Sequence, residues 1–224
     1  MRISKMRISK YLHSCLLFEK DGEKLLFDPG KFSFIEGGIS PALFGDVSAV
    51  VLTHDHPDHL HLAALQEIVA RSKAVVIANE EVASRLSGEG IQVQVLEQGE
   101  HQVGPFSLRA IPAPHEPILS DTLPRNTAFL VNAQALNCGD SFQEPLLEFR
   151  GIPLLILPVM APFLTELGVM DFARRMAPEA VLPVHDGYAK PFFLTQRYET
   201  YAPEFEKLGI RFHALAAIGA DVLL

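Results

Sequence analysis

One seven-residue segment, Thr53–His59, constrains this chain more than any other part of its sequence. Four of its residues offer three imidazoles and a carboxylate that match the usual ligands of zinc and other first-row metals. The apolar run at 47–52 predicts a buried strand, so the segment should form a strand-to-helix loop. A surface loop merely rich in histidine is the alternative, but its position after a buried strand and its ligand-type spacing favour a metal site. The candidate ligands are His54, His56, Asp58 and His59.

The spacing within this loop suggests two ions rather than one. Residues two apart on an extended segment point to the same side, so His54 and His56 can hold one ion. Asp58 and His59 should fall at the start of the following helix and face a second ion. Pro57 fixes its own φ and restricts His56 to extended conformations, which stiffens the loop between the ligands.

Three further polar residues, His115, Asp140 and His185, follow predicted strands. A single histidine at a strand end is more often a hydrogen-bonded structural residue. Together with the loop, however, these three supply enough ligands for two metals. We therefore predict that the strand ends meet the loop at one rim.

Elsewhere the chain alternates between strand-like and helix-like patterns. An Asp21-Gly22 turn joins two apolar runs, which predicts a hairpin, and Asn79 stands where it can cap a helix. Hairpins mixed with strand-helix units favour an α/β fold of four layers, an αββα sandwich, over one parallel sheet. The predicted strands are 16–18, 25–27, 47–52, 74–78, 92–95, 106–111, 128–132, 135–138, 154–157, 181–184 and 211–215, and the predicted helices are 60–71, 79–86, 164–176 and 192–208.

The pentapeptide Met-Arg-Ile-Ser-Lys occurs twice at the start of the chain. A repeat this short cannot be a structural unit, because solenoid repeats need roughly 20 residues each. We interpret residues 1–5 as an alternative start or a cloning scar. Residues 6–224 are long enough for a substantial core and are predicted to form one domain.

Charge and composition exclude several classes of protein. The formal net charge of −8 and the lack of a basic stripe argue against a nucleic-acid partner. No stretch reaches the roughly 20 apolar residues of a membrane span. Two cysteines, Cys15 and Cys138, are too few for a disulfide scaffold and fit a reducing compartment, so we expect a cytoplasmic protein. The sequence is compatible with a homo-oligomer as well as with a monomer.

Thr53–His59 resembles the HxHxDH signature of the metallo-β-lactamase superfamily, and the later His115, Asp140 and His185 resemble its remaining ligand motifs in order. The resemblance covers nearly the whole chain from Tyr11 and implies an αββα sandwich. It also implies a first metal on His54, His56 and His115, a second on Asp58, His59 and His185, and Asp140 as the bridging ligand.

Two other segments extend this resemblance. Asp28, in Phe27-Asp28-Pro29-Gly30, matches the first acidic motif of the superfamily, which implies that it supports the ligands from behind. The opening Tyr11–Cys15 looks like the start of the branch that includes ascorbate-6-phosphate lactonase, although Leu12 stands where that branch usually has glycine.

Three residues are candidate substrate contacts. His13 is expected beside the site, the alternative being a histidine satisfied within the first hairpin. Arg125 follows His115 and could meet an anionic group of a small-molecule substrate, with Lys190 as a second candidate. The alternative for both cations is a solvated surface charge, since most arginines and lysines are exposed.

These residues predict a metal-dependent hydrolase. Two divalent ions roughly 3.5 to 4 Å apart can share a water and hold a bridging hydroxide at neutral pH. Asp58 would bind metal and orient the hydroxide or accept its proton. The substrate is expected to be a small phosphoester, lactone or ester, because the chain has no room for the inserted domain of the superfamily's nucleases or the helical domain of glyoxalase II.

The metal and the reaction class each have alternatives. Zinc is favoured because His56 stands where the related di-iron enzymes carry glutamate, while manganese and iron stay open. A mononuclear iron dioxygenase, or a catalytically silent metal-binding or sensing module, could also be built on the same fold.

Overall fold

The computed structural model describes residues 5–36 and 38–224. Two seven-stranded sheets contain all of its strands. The first sheet holds β1 (Arg7–Lys10), β2 (Leu16–Lys20), β3 (Glu23–Phe27), β4 (Ala49–Val51), β5 (Val75–Ala78), β6 (Val93–Val95) and β14 (Ala220–Leu223). The second holds β7 (Gly99–Val103), β8 (Phe106–Pro112), β9 (Thr127–Val131), β10 (Ala135–Asn137), β11 (Leu154–Pro158), β12 (Ala180–Val184) and β13 (Arg211–Phe212). Their spatial orders are β14-β1-β2-β3-β4-β5-β6 and β13-β12-β11-β10-β9-β8-β7.

Four α-helices cover the outer faces of the sheets. They are α1 (Leu62–Ser72), α2 (Glu80–Ser87), α3 (Glu166–Met176) and α4 (Pro191–Lys207). Shorter helical turns lie at Phe32–Glu36, Pro41–Phe44 and Glu144–Phe149. The Asn79 side chain accepts a hydrogen bond from Val82 N, so the predicted helix cap is confirmed.

Three apolar clusters hold the layers together. The central cluster lies between the sheets, where the rings of Phe27 and Phe129 meet at 5.9 Å between centroids. Leu65 of α1 packs in a cluster against the outer face of the first sheet, and Phe172 of α3 in another against the second sheet. Burial of these clusters provides the main stabilisation of the sandwich. The predicted αββα architecture is confirmed.

The sequence analysis missed three strands. β1 uses the second pentapeptide copy, where Ile8 is buried, and pairs with β2 and β14. The alternation of apolar and polar residues is weak in β7, because this strand is polar and largely exposed. β14 is a short strand at the chain end and is also largely exposed. Residues 1–4, which make up most of the predicted scar or alternative start, lie outside the described residues.

The metal loop also differs from its prediction at one boundary. Helix α1 begins at Leu62 rather than at residue 60, with His61 as its N-cap. Asp58 and His59 therefore lie in a turn before the helix and not in its first turn. The backbone N–H groups of His59 and Leu60 both bond to His56 O, which closes that turn before the helix begins.

The directions of the strands place the candidate site residues at one rim of the sandwich. β3, β4, β5 and β6 are parallel, so the residues that follow them lie at the same edge of the first sheet. β10, β11 and β12 are parallel in the second sheet, and β8 runs the same way because β9 is antiparallel to both β8 and β10. The rim thus collects Asp28, Thr53, His115, Asp140 and His185.

Candidate metal centre

Eight side chains converge at this rim in two groups. Within each group the candidate ligand atoms all lie within 4.8 Å of one another. All eight are buried except His56, which is half-buried. One group is His54, His56, His115 and Asp140, and the other is His13, Asp58, His59 and His185. All seven predicted ligands therefore lie together, with His13 as an eighth member.

The carboxylate of Asp140 faces both groups. Its Oδ2 lies 3.4 Å from His115 Nε2 and 3.0 Å from His185 Nε2. Its Oδ1 lies 3.4 Å from His59 Nε2. Oδ2 thus contacts imidazoles of both groups and Oδ1 contacts one of the second group. The carboxylate therefore lies between the groups, which is the location that a bridging ligand needs.

Backbone carbonyls fix the orientation of two imidazoles. His115 Nδ1 lies 2.6 Å from Glu116 O, and His185 Nδ1 lies 2.6 Å from Met160 O. A carbonyl oxygen can only accept, so each Nδ1 carries the proton and donates. Each Nε2 is then directed toward the centre, and such fixed rings are typical of metal-ligating histidines.

Asp28 contacts both the start of the loop and one of its candidate ligands. Its two carboxylate oxygens accept hydrogen bonds from Thr53 N and Thr53 Oγ1, both at 2.8 Å. Asp28 Oδ2 also lies 2.9 Å from His59 Nδ1. One buried carboxylate therefore joins the end of β4 to a candidate ligand six residues further on.

Several buried polar atoms at the centre have no hydrogen-bond partner among the described residues. They are Nε2 of His59, His115 and His185, and Oδ1 of Asp140. Leaving such atoms unsatisfied costs stability, and native proteins rarely do so without a reason. A first-row metal would satisfy imidazole nitrogens and a carboxylate oxygen together. The residues present therefore fit a metal.

The metal-free centre is strongly polarised. Burial lowers the pKa of His54 well below its ordinary value and that of His13 to about 3. Burial also works to lower the pKa of His185, but Asp140 raises it to about 9. The pKa of His59 is likewise raised, against burial, by Asp140 and Asp28. Metal ions that bind at His59 and His185 would therefore have to displace protons from these imidazoles.

His13 lies beside the site, as expected, and its contact with substrate stays a prediction. Its side chain is fully buried, Nδ1 accepts a hydrogen bond from Gly187 N at 3.0 Å, and Nε2 lies 3.2 Å from Asp58 Oδ2. A neutral imidazole has one N–H, so Nε2 donates to Asp58. His13 therefore orients Asp58, and the alternative of a histidine satisfied within the first hairpin is wrong because both partners lie outside that hairpin.

Tyr188 is a site residue that the sequence analysis missed. Its hydroxyl donates to Asp58 Oδ2 at 2.8 Å, and its ring packs edge-on against His13 and Phe32. The residue is half exposed, so it stands at the open side of the centre. A lone tyrosine three positions after His185 has no spacing signal that could have identified it.

The two predicted cations lie outside the metal groups. Arg125 pairs with Glu97 at 3.0 Å and lines a groove that reaches His115. Lys190 is exposed and precedes α4 as its N-cap residue. A different cation supports the metal loop, because Arg85 of α2 forms an ion pair with Asp55.

In the described part of the chain, no helix is both long and apolar enough to cross a membrane.

Known proteins resemble this chain over most of its length. Protein Rv0786c of Mycobacterium tuberculosis is 28% identical over 194 residues, which cover 83% of this chain and 86% of that protein. A UPF0173 metal-dependent hydrolase of Pyrococcus abyssi is 25% identical over 221 residues, covering 89% and 90%. The finer resemblance to ascorbate-6-phosphate lactonase stays a prediction.

Solved structures share the fold. A protein of Parabacteroides distasonis assigned as a metal-dependent hydrolase superposes with a TM-score of 0.76 at 21% identity, covering 94% of this chain and 92% of that one. The diiron β-hydroxylase CmlA of Streptomyces venezuelae superposes with a TM-score of 0.71 at 13% identity, covering 98% and 54%. At these identities the likeness concerns the fold alone.

Residues 7–185 match the family described as the β-lactamase superfamily domain, which spans both candidate metal groups. Several relatives are named metal-dependent hydrolases, and this name is consistent with the metal-ligating side chains at the rim. The chain therefore belongs to the β-lactamase superfamily and is an enzyme, a metal-dependent hydrolase.

Proposed function

We propose that the enzyme binds two zinc ions and hydrolyses a small phosphoester, lactone or ester. One observation carries this proposal: Asp140 faces two groups of ligands whose buried Nε2 atoms on His59, His115 and His185 are unpartnered among the described residues. The first ion would be held by His54, His56 and His115, and the second by Asp58, His59 and His185.

Two ions in this site would lower the pKa of a shared water towards about 7 and polarise the substrate oxygen. The chain's own part is to orient the reacting water. Burial raises the pKa of Asp58, but the hydrogen bond from His13 and the nearby imidazoles of His185 and His59 lower it far below its ordinary value. Such a weakly basic carboxylate positions a water better than it removes its proton. We therefore give Asp58 an orienting role.

Zinc is the proposed metal because the ligand set is dominated by imidazole and includes His56. Zinc has no strong geometric preference of its own and is commonly bound by imidazole nitrogen and carboxylate oxygen. Manganese and iron are the alternatives. The fold also occurs in a diiron enzyme, so the fold by itself does not select the metal.

The small-molecule substrate and the compartment are proposals as well. We propose that the enzyme acts in the cytoplasm, which both free, buried cysteines support.

A hydrolysis screen tests the reaction. The metal-free protein would be supplied with zinc, manganese or iron and assayed on phosphodiester, lactone and simple ester substrates. We expect turnover that depends on added metal and that disappears in His56→Ala and His59→Ala. Full activity in either variant contradicts the two-metal site. Oxygen consumption with iron and no hydrolysis would instead indicate a dioxygenase, and metal binding without any turnover a silent module.

A further inference from the structure

A groove of about 470 Å³ opens beside the metal centre. It lies between residues 97–98, 112–115 and 123–127. The first two segments follow the C-terminal ends of β6 and β8, and the third leads into β9, so all three lie at the rim that carries the ligands. His115, a proposed ligand of the first metal, is part of the groove wall. The groove therefore reaches the place where the reaction would occur.

Most of the groove wall is apolar and stiff. Leu123 and Ala113 line it together with three prolines, Pro112, Pro114 and Pro124. Proline has no backbone N–H and a fixed φ, so these positions offer no backbone donor to a polar ligand. Ligand sites of this volume are usually apolar with a few polar groups, and this groove fits that description.

The charges in the groove do not favour an anion. Arg125 is the only lysine or arginine among its lining residues. Its guanidinium pairs with Glu97 at 3.0 Å, and its backbone N–H donates to Glu81 Oε2 at 2.9 Å. An anionic ligand would have to break the pair and would then face the carboxylate of Glu97. An uncharged ligand meets neither cost.

We propose that this groove binds an uncharged apolar group of the substrate, so that the enzyme hydrolyses carboxylic esters or lactones with an apolar chain in preference to phosphoesters. This inference rests on the proposed hydrolase and narrows its substrate class. In the reaction, the acyl carbon gains the hydroxyl of water, the acyl C–O bond breaks, and the proton goes to the leaving oxygen. An ester gives an acid and an alcohol, and a lactone gives a hydroxy acid.

Substrate chain length tests the groove. kcat/KM would be measured with p-nitrophenyl acetate, butyrate and hexanoate and with bis(p-nitrophenyl) phosphate. Full burial of each added methylene is worth roughly fourfold, so we expect at least about a tenfold rise from acetate to hexanoate. Hexanoate should also exceed the phosphodiester. A flat series, or a preference for the phosphodiester, overturns the proposal.

A pair of leucine variants tests the location. Leu123 lines the groove, whereas Leu119 is fully exposed on the same loop and is not among the lining residues. Leu123→Ser should lower kcat/KM for hexanoate more than for acetate, and so remove most of the chain-length dependence. Leu119→Ser should behave as the wild type. Equal behaviour of the two variants contradicts the assignment.

Binding to the metal-free protein separates this proposal from the hydrolase itself. Hexanamide is uncharged and resistant to hydrolysis, and hexyl phosphate has the same chain with an anionic head. In NMR titrations we expect hexanamide to shift the amide signals of Ala113 and Leu123 more strongly than hexyl phosphate does. This result without ester hydrolysis would support the groove and refute the reaction. Ester hydrolysis without such shifts would support the reaction and refute the groove.

Discussion

The hydroxyl of Tyr188 donates a hydrogen bond to Asp58 Oδ2 at 2.8 Å, although the two residues are 130 positions apart in the sequence. Tyr188→Phe removes this bond and keeps the ring packed on Phe32. A hydrogen bond to a charged group is worth about 1.5–3 kcal/mol, so we expect kcat to fall roughly 10- to 100-fold with unchanged metal content.

Tyr11→Phe is the matched control for this substitution. Tyr11 packs edge-on against Phe44 at 5.0 Å between centroids, and its side chain belongs to neither ligand group. It should keep full activity. Wild-type kcat in Tyr188→Phe would mean that the hydroxyl has no part in orienting Asp58.

Metal uptake should release protons. In the metal-free protein, Asp140 raises the pKa of His185 to about 9, and Asp140 and Asp28 raise that of His59, both against the effect of burial. Both imidazoles thus carry a second proton at pH 7, and a metal ion must displace that proton from each ring. Calorimetry in buffers of different ionisation enthalpy should report about one to two protons released per chain at pH 7.

The sign of the pH dependence follows from these raised pKa values. Metal affinity should increase as pH rises from 7 towards 9, because fewer protons then compete for His185 and His59. Proton release should become smaller above pH 9. Affinity that does not change over this range would show that these imidazoles are not displaced by metal.

Asp28→Asn tests the support behind the ligands. The carboxylate accepts from Thr53 and contacts His59 Nδ1, and loss of such partners typically costs about 10- to 100-fold in metal affinity. Competition with a chelator would measure this change. Asp46→Asn is the control, because Asp46 is an exposed partner of Lys24 away from the site. Equal metal affinity in the two variants would contradict the role given to Asp28.

Gly30 leaves room for the metal loop to pass. A Cβ atom at this position would lie 1.7 Å from the backbone oxygen of Asp58, so Gly30→Ala must displace the loop. We expect a loss of about 1–3 kcal/mol in the free energy of unfolding, together with weakened metal binding. Gly88→Ala is the control, since its Cβ would meet only Arg85 O at 3.8 Å. Urea unfolding and metal titration would separate the two variants, and similar values for both would refute the close contact.

The sequence predicted the layered architecture better than it predicted the edge strands and the start of α1. Hairpins and strand-helix units indicated two stacked sheets because their apolar runs alternate regularly with turn residues and helical patterns. β7 and β14 gave no such signal, since each is short and largely exposed. The helix that follows the metal loop was placed two residues early, because the turn closed on His56 O is not visible as a pattern of apolar residues.

The candidate ligands could be identified because each follows a strand or belongs to the HxHxDH pattern. The contacts that orient them could not. Tyr188 and His13 meet at Asp58 only after three separate segments fold together, so neither has a local signature. Arg125 looked available to an anion, but its pairing with Glu97 depends on how β6 ends beside the loop before β9. Such long-range pairings depend on topology.

Anomalous scattering at the zinc absorption edge, from crystals of the zinc-loaded enzyme, tests the central claim most directly. Two peaks per chain, one on each side of Asp140 and each beside one of the two ligand groups, are the predicted result. A single peak, or peaks away from Asp140, would contradict the dinuclear centre.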